Sequence, residues 1–230
     1  MSPRFTALVG SPRPDSTSKH FAAHLGSVFA DQGWEFQCFT ARTALRDPAV
    51  FDALQSSLQG SRALGLVFPL YVDSLPCEFL EVLERLAAEG PAPGPGTSLF
   101  AVAQCGFAEA RHNAIALERC RLFARQLGYT WRGGLAVGGG GMYGGQPLKT
   151  QGGRARFLVR ALDLSAQAVA ADADLPAEAV ALAQKKVIPD WLYFLFANFS
   201  MLWESARHGK LFHILARPYV RVEPRSGVKN

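Results

Sequence analysis

The sequence predicts a doubly wound α/β fold, with a five-stranded parallel sheet covered by helices on both faces and a helical extension at the C-terminal end. Three observations predict it. Short, continuous apolar runs of the kind that strands buried on both faces require alternate with segments of helical period. Glycine and proline punctuate the joints between them, most plainly in Pro91 to Gly96, PAPGPG, which neither a helix nor a central strand accepts. The chain has 230 residues, enough for one substantial domain with an appendage; with 49% hydrophobic and 19% charged residues it is neither disordered nor a coiled coil.

Five runs supply the strands: Phe5 to Val9, Trp34 to Phe39, Ala63 to Phe68, Leu99 to Ala103 and Leu135 to Val137. After the first, Ser18 is placed to cap a helix whose apolar positions Phe21, Leu25, Val28 and Phe29 fall on one stripe. Phe79, Leu80, Leu83 and Leu86 repeat the pattern after the third run. Ile115, Leu122, Phe123 and Leu127 mark a helix ended by Gly128, and Phe157, Leu158, Ala161, Leu162, Ala168 and Val169 mark one more. The order is (βα)5. A sheet of this size suits the flavodoxin-like strand order 2-1-3-4-5, but a Rossmann half-fold begins alike, and periodicity does not choose between them.

The core domain is expected over residues 1–172, and a helical extension with a basic tail over 173–230. In the extension Pro176 to Val187 and Pro189 to about Gly209 form two segments, the second opened by Pro189. Between Asp190 and Glu204 run 13 residues, WLYFLFANFSMLW, of which eleven are apolar. As a helix they span about 20 Å, short of the ~30 Å hydrocarbon core of a bilayer. Such a helix needs a cover: a second subunit, its own domain, or a membrane surface beside the basic tail. The formal charge of +5 is all carried by Arg207 to Asn230, which reads as a solvated terminus; a basic face interleaved with aromatics, the mark of nucleic-acid binding, is not seen.

Cys38, Cys77, Cys105 and Cys120 stand too far apart for zinc or iron–sulfur spacing, so no metal is expected. The N-terminal residues run straight into an apolar strand without the regions of a secretory leader. Both features place the expected location in the cytoplasm, with the cysteines as free thiols.

The chemistry gathers at the C-terminal ends of the strands. Gly10-Ser11-Pro12-Arg13-Pro14-Asp15-Ser16-Thr17-Ser18 joins the first strand to a helix N-terminus, where backbone N–H groups, the helix dipole and the hydroxyls of Ser11, Ser16, Thr17 and Ser18 suit a phosphate monoester, with Arg13 adding charge. The loop is not a Walker A motif, because Asp15 and Ser16 stand where Gly and Lys are needed, and it is not GxGxxG. An ordinary serine-rich cap is the plain alternative. Pro69-Leu70-Tyr71-Val72-Asp73-Ser74-Leu75-Pro76 follows the third strand, where Leu70 and Tyr71 offer a surface to a flat ring. Neither GxSxG nor HExxH occurs.

G-S-P-R-x-x-S-x-S, P-L-Y-x-x-S-L-P and C-G-F-x-E-A, in that order, resemble the NAD(P)H-dependent FMN reductase family of the flavodoxin-like fold, over roughly residues 4 to 170. The resemblance implies FMN, its phosphate on Ser11, Arg13, Ser16, Thr17 and Ser18. It also implies an isoalloxazine ring over Pro69, Leu70, Tyr71, Val72, Asp73 and Ser74, with Cys105, Gly106 and Phe107 as a third flavin-facing loop. NADPH or NADH is the implied co-substrate, a quinone, free flavin or other small aromatic oxidant the acceptor, and a homodimer or higher homo-oligomer the assembly. No catalytic side chain is implied, because flavin N5 performs the hydride chemistry. The sequence departs from the family in placing Leu80 and Glu81 near a position where many members carry Lys, and in the glycine richness of Gly138 to Gly145. Nine Lys or Arg between Arg111 and Arg160, against the single acid Glu118, make Lys149, Arg154 and Arg156 candidates for a nucleotide phosphate, and His112 with Glu109 could steer a substrate. A flavodoxin-type electron carrier and a flavin-free interaction scaffold are the competing readings.

Overall fold

The computed structural model describes residues 2–213. Five parallel strands, β1 (Arg4–Val9), β2 (Glu35–Thr40), β3 (Ala63–Pro69), β4 (Ser98–Gln104) and β5 (Thr130–Val137), lie in the order β2-β1-β3-β4-β5. That order decides between the two topologies that periodicity left open, in favour of 2-1-3-4-5.

Around the sheet run α1 (Thr17–Ala30), α2 (Ala41–Arg46), α3 (Pro48–Gln59), α4 (Cys77–Glu89), α5 (Ala114–Leu127), α6 (Arg156–Ala170) and α7 (Ala177–Ala183). Two cores result. One joins α1, α6 and α7 to Phe5, Val67, Phe100 and Leu135; the other joins α3, α4 and α5 to Leu8, Leu66, Phe68 and Leu99. In the first, Phe5 stacks on Phe29, Phe36 and Phe100 at centroid distances of 4.2, 5.6 and 5.8 Å. Gly65 in β3 makes room for this, since a Cβ there would lie 2.9 Å from the Phe5 ring and 3.3 Å from that of Phe100.

Sequence and structure differ at four joints. The crossover between β2 and β3, for which no helical stripe stood out, contains α2 and α3; Asp47 caps α3 by accepting from the Ala49 amide at 3.0 Å, and Pro48 opens it. β5 begins five residues before the apolar run, because as an edge strand it needs no continuous apolar sequence. Its register shifts opposite Leu99/Phe100, and Arg132 turns to Ser98 Oγ at 2.9 Å and towards Asp172 and Asp174. The cap of α1 is Ser16, whose Oγ accepts from the Lys19 amide at 3.3 Å; Ser18 lies inside the first turn, fully buried.

The compact unit runs to Val187, past the expected boundary at 172, because Ala179 and Ala183 of α7 enter the first core. The second unit begins at Ile188 and contains α8 (Asp190–Arg207) and a short 3-10 turn; among its described residues none is buried. Phe199 and Trp203 stack along α8 at 6.4 Å. The basic tail from residue 214 onward lies outside the described residues. No helix among them is long and apolar enough to cross a membrane.

Candidate functional site

A cavity of about 370 Å³ opens at the C-terminal edge of the sheet, within the roughly 300–1,000 Å³ common for small-molecule sites. Four loops build it. The β1–α1 loop supplies Ser11, Arg13, Asp15, Ser16 and Thr17; the loop after β3 supplies Pro69, Leu70 and Tyr71. Gln104 and Gly106 come from the end of β4, and Gly140, Gly141, Gly144, Gly145 and Gln146 from beyond β5.

The first loop starts where Gly10 donates to Val67 O at 2.9 Å, extending the ladder by one bond. A Cβ on Gly10 would lie 2.7 Å from both Phe68 Cβ and Phe79 Cγ, so only bare backbone leaves the sheet here. Arg42 then donates to Pro12 O at 3.2 Å and Lys19 to Pro14 O at 3.1 Å, which fixes the loop from outside. Ser16 Oγ accepts in the α1 cap, which leaves the hydroxyl one hydrogen to donate. Thr17 Oγ1 donates to Gly140 O at 3.4 Å, linking this loop to the one after β5. Asp15 is the acid in the lining, its carboxylate 2.9 Å from His20 Nε2.

Beside this hydroxyl-rich end lies a cleft floored by backbone. A Cβ on Gly106, Gly141, Gly144 or Gly145 would meet nothing within 4 Å, so open space stands where side chains would otherwise project. Leu70 and the 42% exposed Tyr71 form one wall. The donor set and the open cleft together fit a phosphate monoester carrying a flat, partly apolar ring.

Of the residues that the resemblance assigns to the flavin, Ser11, Arg13, Ser16, Thr17, Pro69, Leu70, Tyr71 and Gly106 line this cavity, and six do not. Ser18 is shut into the helix packing, its hydroxyl without a partner among the described residues. Val72 and Asp73 form the outward apex of a hairpin turn, Val72 99% exposed, while Ser74 Oγ accepts from Arg119 Nη1 at 2.8 Å. Cys105 is buried beneath the floor, its thiol directed at Phe107 O and Glu109 O, and burial raises its pKa. Phe107 faces solvent and lies against His112 at 4.5 Å. His112 and Glu109 stand 3.8 Å apart, outside the lining. Lys149 belongs to a separate cavity of about 160 Å³ beside α1; Arg154 donates to Met142 O, and Arg156 sits over the Phe157 ring, so none of the three lines the main cavity.

Sequence reading missed Asp15, Gln104 and Gln146 as lining residues. Gln104 had a legible signal, a polar residue ending an otherwise apolar strand; Gln146 had none. Tyr143, in the turn beyond β5, is buried with its ring edge-on to Phe21 at 5.6 Å, and burial pushes its phenol up to about 12, as it does that of Tyr129. The folded chain therefore keeps two protons that the unfolded chain loses above about pH 10, and stability falls as pH rises towards 12. We expect a loss of about 1.4 kcal/mol per pH unit per tyrosine, hence about 2.8 for the pair and about half of that in Tyr143→Phe, read from denaturant midpoints between pH 9 and 12.

No protein-family model matches the sequence, and no curated protein sequence does. Solved structures do. The structure of RosB with bound 8-demethyl-8-formylriboflavin-5′-phosphate aligns with a TM-score of 0.57 at 14% identity, covering 100% of this chain and 99% of that one. An apo NADH:FMN oxidoreductase, EMOB, aligns at 0.55 and 15%, covering 82% and 97%. A putative quinone reductase from Klebsiella pneumoniae aligns at 0.52 and 16%, covering 73% and 85%. Together with the strand order, these likenesses define the chain as a protein of the flavodoxin-like fold.

Proposed function

We propose that this chain is an FMN-dependent oxidoreductase that takes hydride from NADH or NADPH and passes the electrons to a small aromatic oxidant such as a quinone or a free flavin. One observation carries the reading. The hydroxyl-lined N-terminus of α1 and the glycine-floored cleft beside Tyr71 belong to one cavity, at the sheet edge where this fold takes its ligands. The fold neighbours titled as an NADH:FMN oxidoreductase and a quinone reductase support it.

Bound FMN would supply hydride acceptance and release at its N5. The chain's own residues position and exclude: Ser11, Ser16, Thr17 and Arg13 would hold the phosphate, Leu70 and Tyr71 would line one face of the ring, and the glycine backbone would border it closely. The open side of the cleft is left for nicotinamide and acceptor in turn. The apolar α8 fits a homodimer in this reading, and sedimentation equilibrium of the full chain would show a mass near twice 24.9 kDa.

The test is a visible spectrum after FMN loading and desalting, followed by anaerobic NADH or NADPH. Retained flavin that bleaches rapidly supports the reductase, and the two rates give its nicotinamide preference. Retained flavin that stays oxidised favours the electron carrier, and no retained flavin in folded protein favours the scaffold. A second reading is favoured by the RosB alignment, which extends over the whole chain, α8 included. There the bound flavin phosphate is an intermediate with a formyl group at ring position 8, so the second reading has the flavin processed rather than kept, and mass spectrometry of the flavin recovered after turnover separates the two.

A further inference from the structure

The hairpin that follows β3 holds two of the three non-glycine residues with positive φ among those described, Val72 at 49° and Asp73 at 55°. Tyr71 N donates to Ser74 O at 2.9 Å and Ser74 N to Tyr71 O at 3.0 Å, so this is a two-residue turn with both central residues left-handed. Asn-Gly favours that turn; a β-branched valine opposes it. Val72 is 99% exposed, so burial of its side chain offsets none of the strain. The turn must be imposed by its surroundings.

Its base is set by Leu70 N donating to Gln104 O at 2.7 Å, and its exit by the buried Leu75. The remaining anchor comes from another helix. Arg119 of α5, 45 residues away in sequence, donates from Nη1 to Ser74 Oγ at 2.8 Å. Tyr71, the cavity-wall residue, is bonded through its backbone to that same Ser74.

We infer that Arg119 is a positioning residue for the cavity: by donating to Ser74 it holds the strained turn closed and so keeps Leu70 and Tyr71 along the cavity wall. Where its consequence is read as FMN affinity, the inference rests on the flavin reading; the tether itself does not. It makes a specific demand. If the tether serves to impose an unfavourable turn, it becomes dispensable once the turn is favourable.

The experiment compares Arg119→Met and Ser74→Ala in the native turn and in the Val72→Asn/Asp73→Gly background. Hydrogen exchange at the Tyr71 and Ser74 amides is followed without ligand, and FMN affinity by quenching of its fluorescence. In the native turn both single variants should speed exchange at the two amides and weaken FMN by roughly three- to tenfold, the range of one lost hydrogen bond. In the Asn-Gly background neither change should appear. Unaltered exchange in Arg119→Met, or an equal loss of affinity in both backgrounds, would overturn the inference. Wild-type protein that binds no FMN, while the exchange pattern holds, would sink the flavin reading and leave the tether standing.

Discussion

Ser16→Asp is expected to leave the protein as stable as the wild type and to abolish its binding of a phosphate-bearing ligand. The two outcomes separate because Ser16 has two roles that aspartate serves oppositely. As the cap of α1, Ser16 accepts from the Lys19 amide, and aspartate caps as well as serine does. Its charge also suits the positive end of the helix dipole, so the unfolding free energy should stay level or rise by up to about 1 kcal/mol. As a cavity wall beside Ser11, Arg13 and Thr17, the same position would place a carboxylate against the incoming phosphate. Two like charges at about 4 Å repel by about 4 kcal/mol at an effective dielectric near 20, which is roughly a thousandfold in affinity. Ser16→Ala gives the converse control, losing about 1 kcal/mol of helix stability with a smaller loss of affinity. FMN titration and denaturant midpoints on the same preparations check both; binding within tenfold of wild type in Ser16→Asp would mean that the phosphate does not sit at this loop.

The sheet was legible because strands buried on both faces must be apolar at nearly every position; β1, β3 and β4 are nearly pure runs, and the sequence places each to within a residue or two. β5 was legible only at its end, because an edge strand tolerates Arg132, Gly133 and Gly134. That the compact unit runs on to Val187 was hard to read for a related reason. α7 is short and joins the core through alanines, Ala179 and Ala183, which leave no stripe of large side chains to read. In the site, the place of the β1–α1 loop at a ligand-sized cavity could be read from chemistry, since it gathers hydroxyls at a helix start on the C-terminal edge of the sheet. Which hydroxyls face outward could not: a shift of two positions decides whether Ser16 or Ser18 is the cap, and that phase follows from where the chain leaves the loop. The loop after β3 shows the same limit. Its residues are contiguous in sequence, yet a two-residue turn sends Val72 and Asp73 away from the cavity that Leu70 and Tyr71 line.

The glycine-rich segment after β5 shows what composition conceals, and Gly138→Ala is the substitution that exposes it. A loop reading GGGGMYGG suggests flexibility or close approach to a ligand. At Gly138 the close approach is to the protein's own backbone: a Cβ there would lie 2.3 Å from Ala108 O and 3.0 Å from Ala108 C and Ala110 N. None of these atoms can rotate away. The two loops are joined on either side of that contact, by Gly139 N to Phe107 O at 2.6 Å, Gly140 N to Cys105 O at 2.7 Å and Asn113 Nδ2 to Val137 O at 3.2 Å. One methyl group must therefore part them and stretch several bonds at about 1 kcal/mol each, so Gly138→Ala should cost about 3 kcal/mol or more, a fall of roughly 6–12 °C in Tm. Gly106 and Gly140 line the cavity from the two loops being parted, so FMN affinity should fall with stability. Gly141→Ala, three residues on and facing open space, supplies the contrast. It should keep or gain up to about 1 kcal/mol of stability through the unfolded state, while its methyl narrows the cleft. Calorimetry of the pair decides the matter, for a flexible loop would accept both alanines alike, whereas a loop packed backbone against backbone accepts only the second.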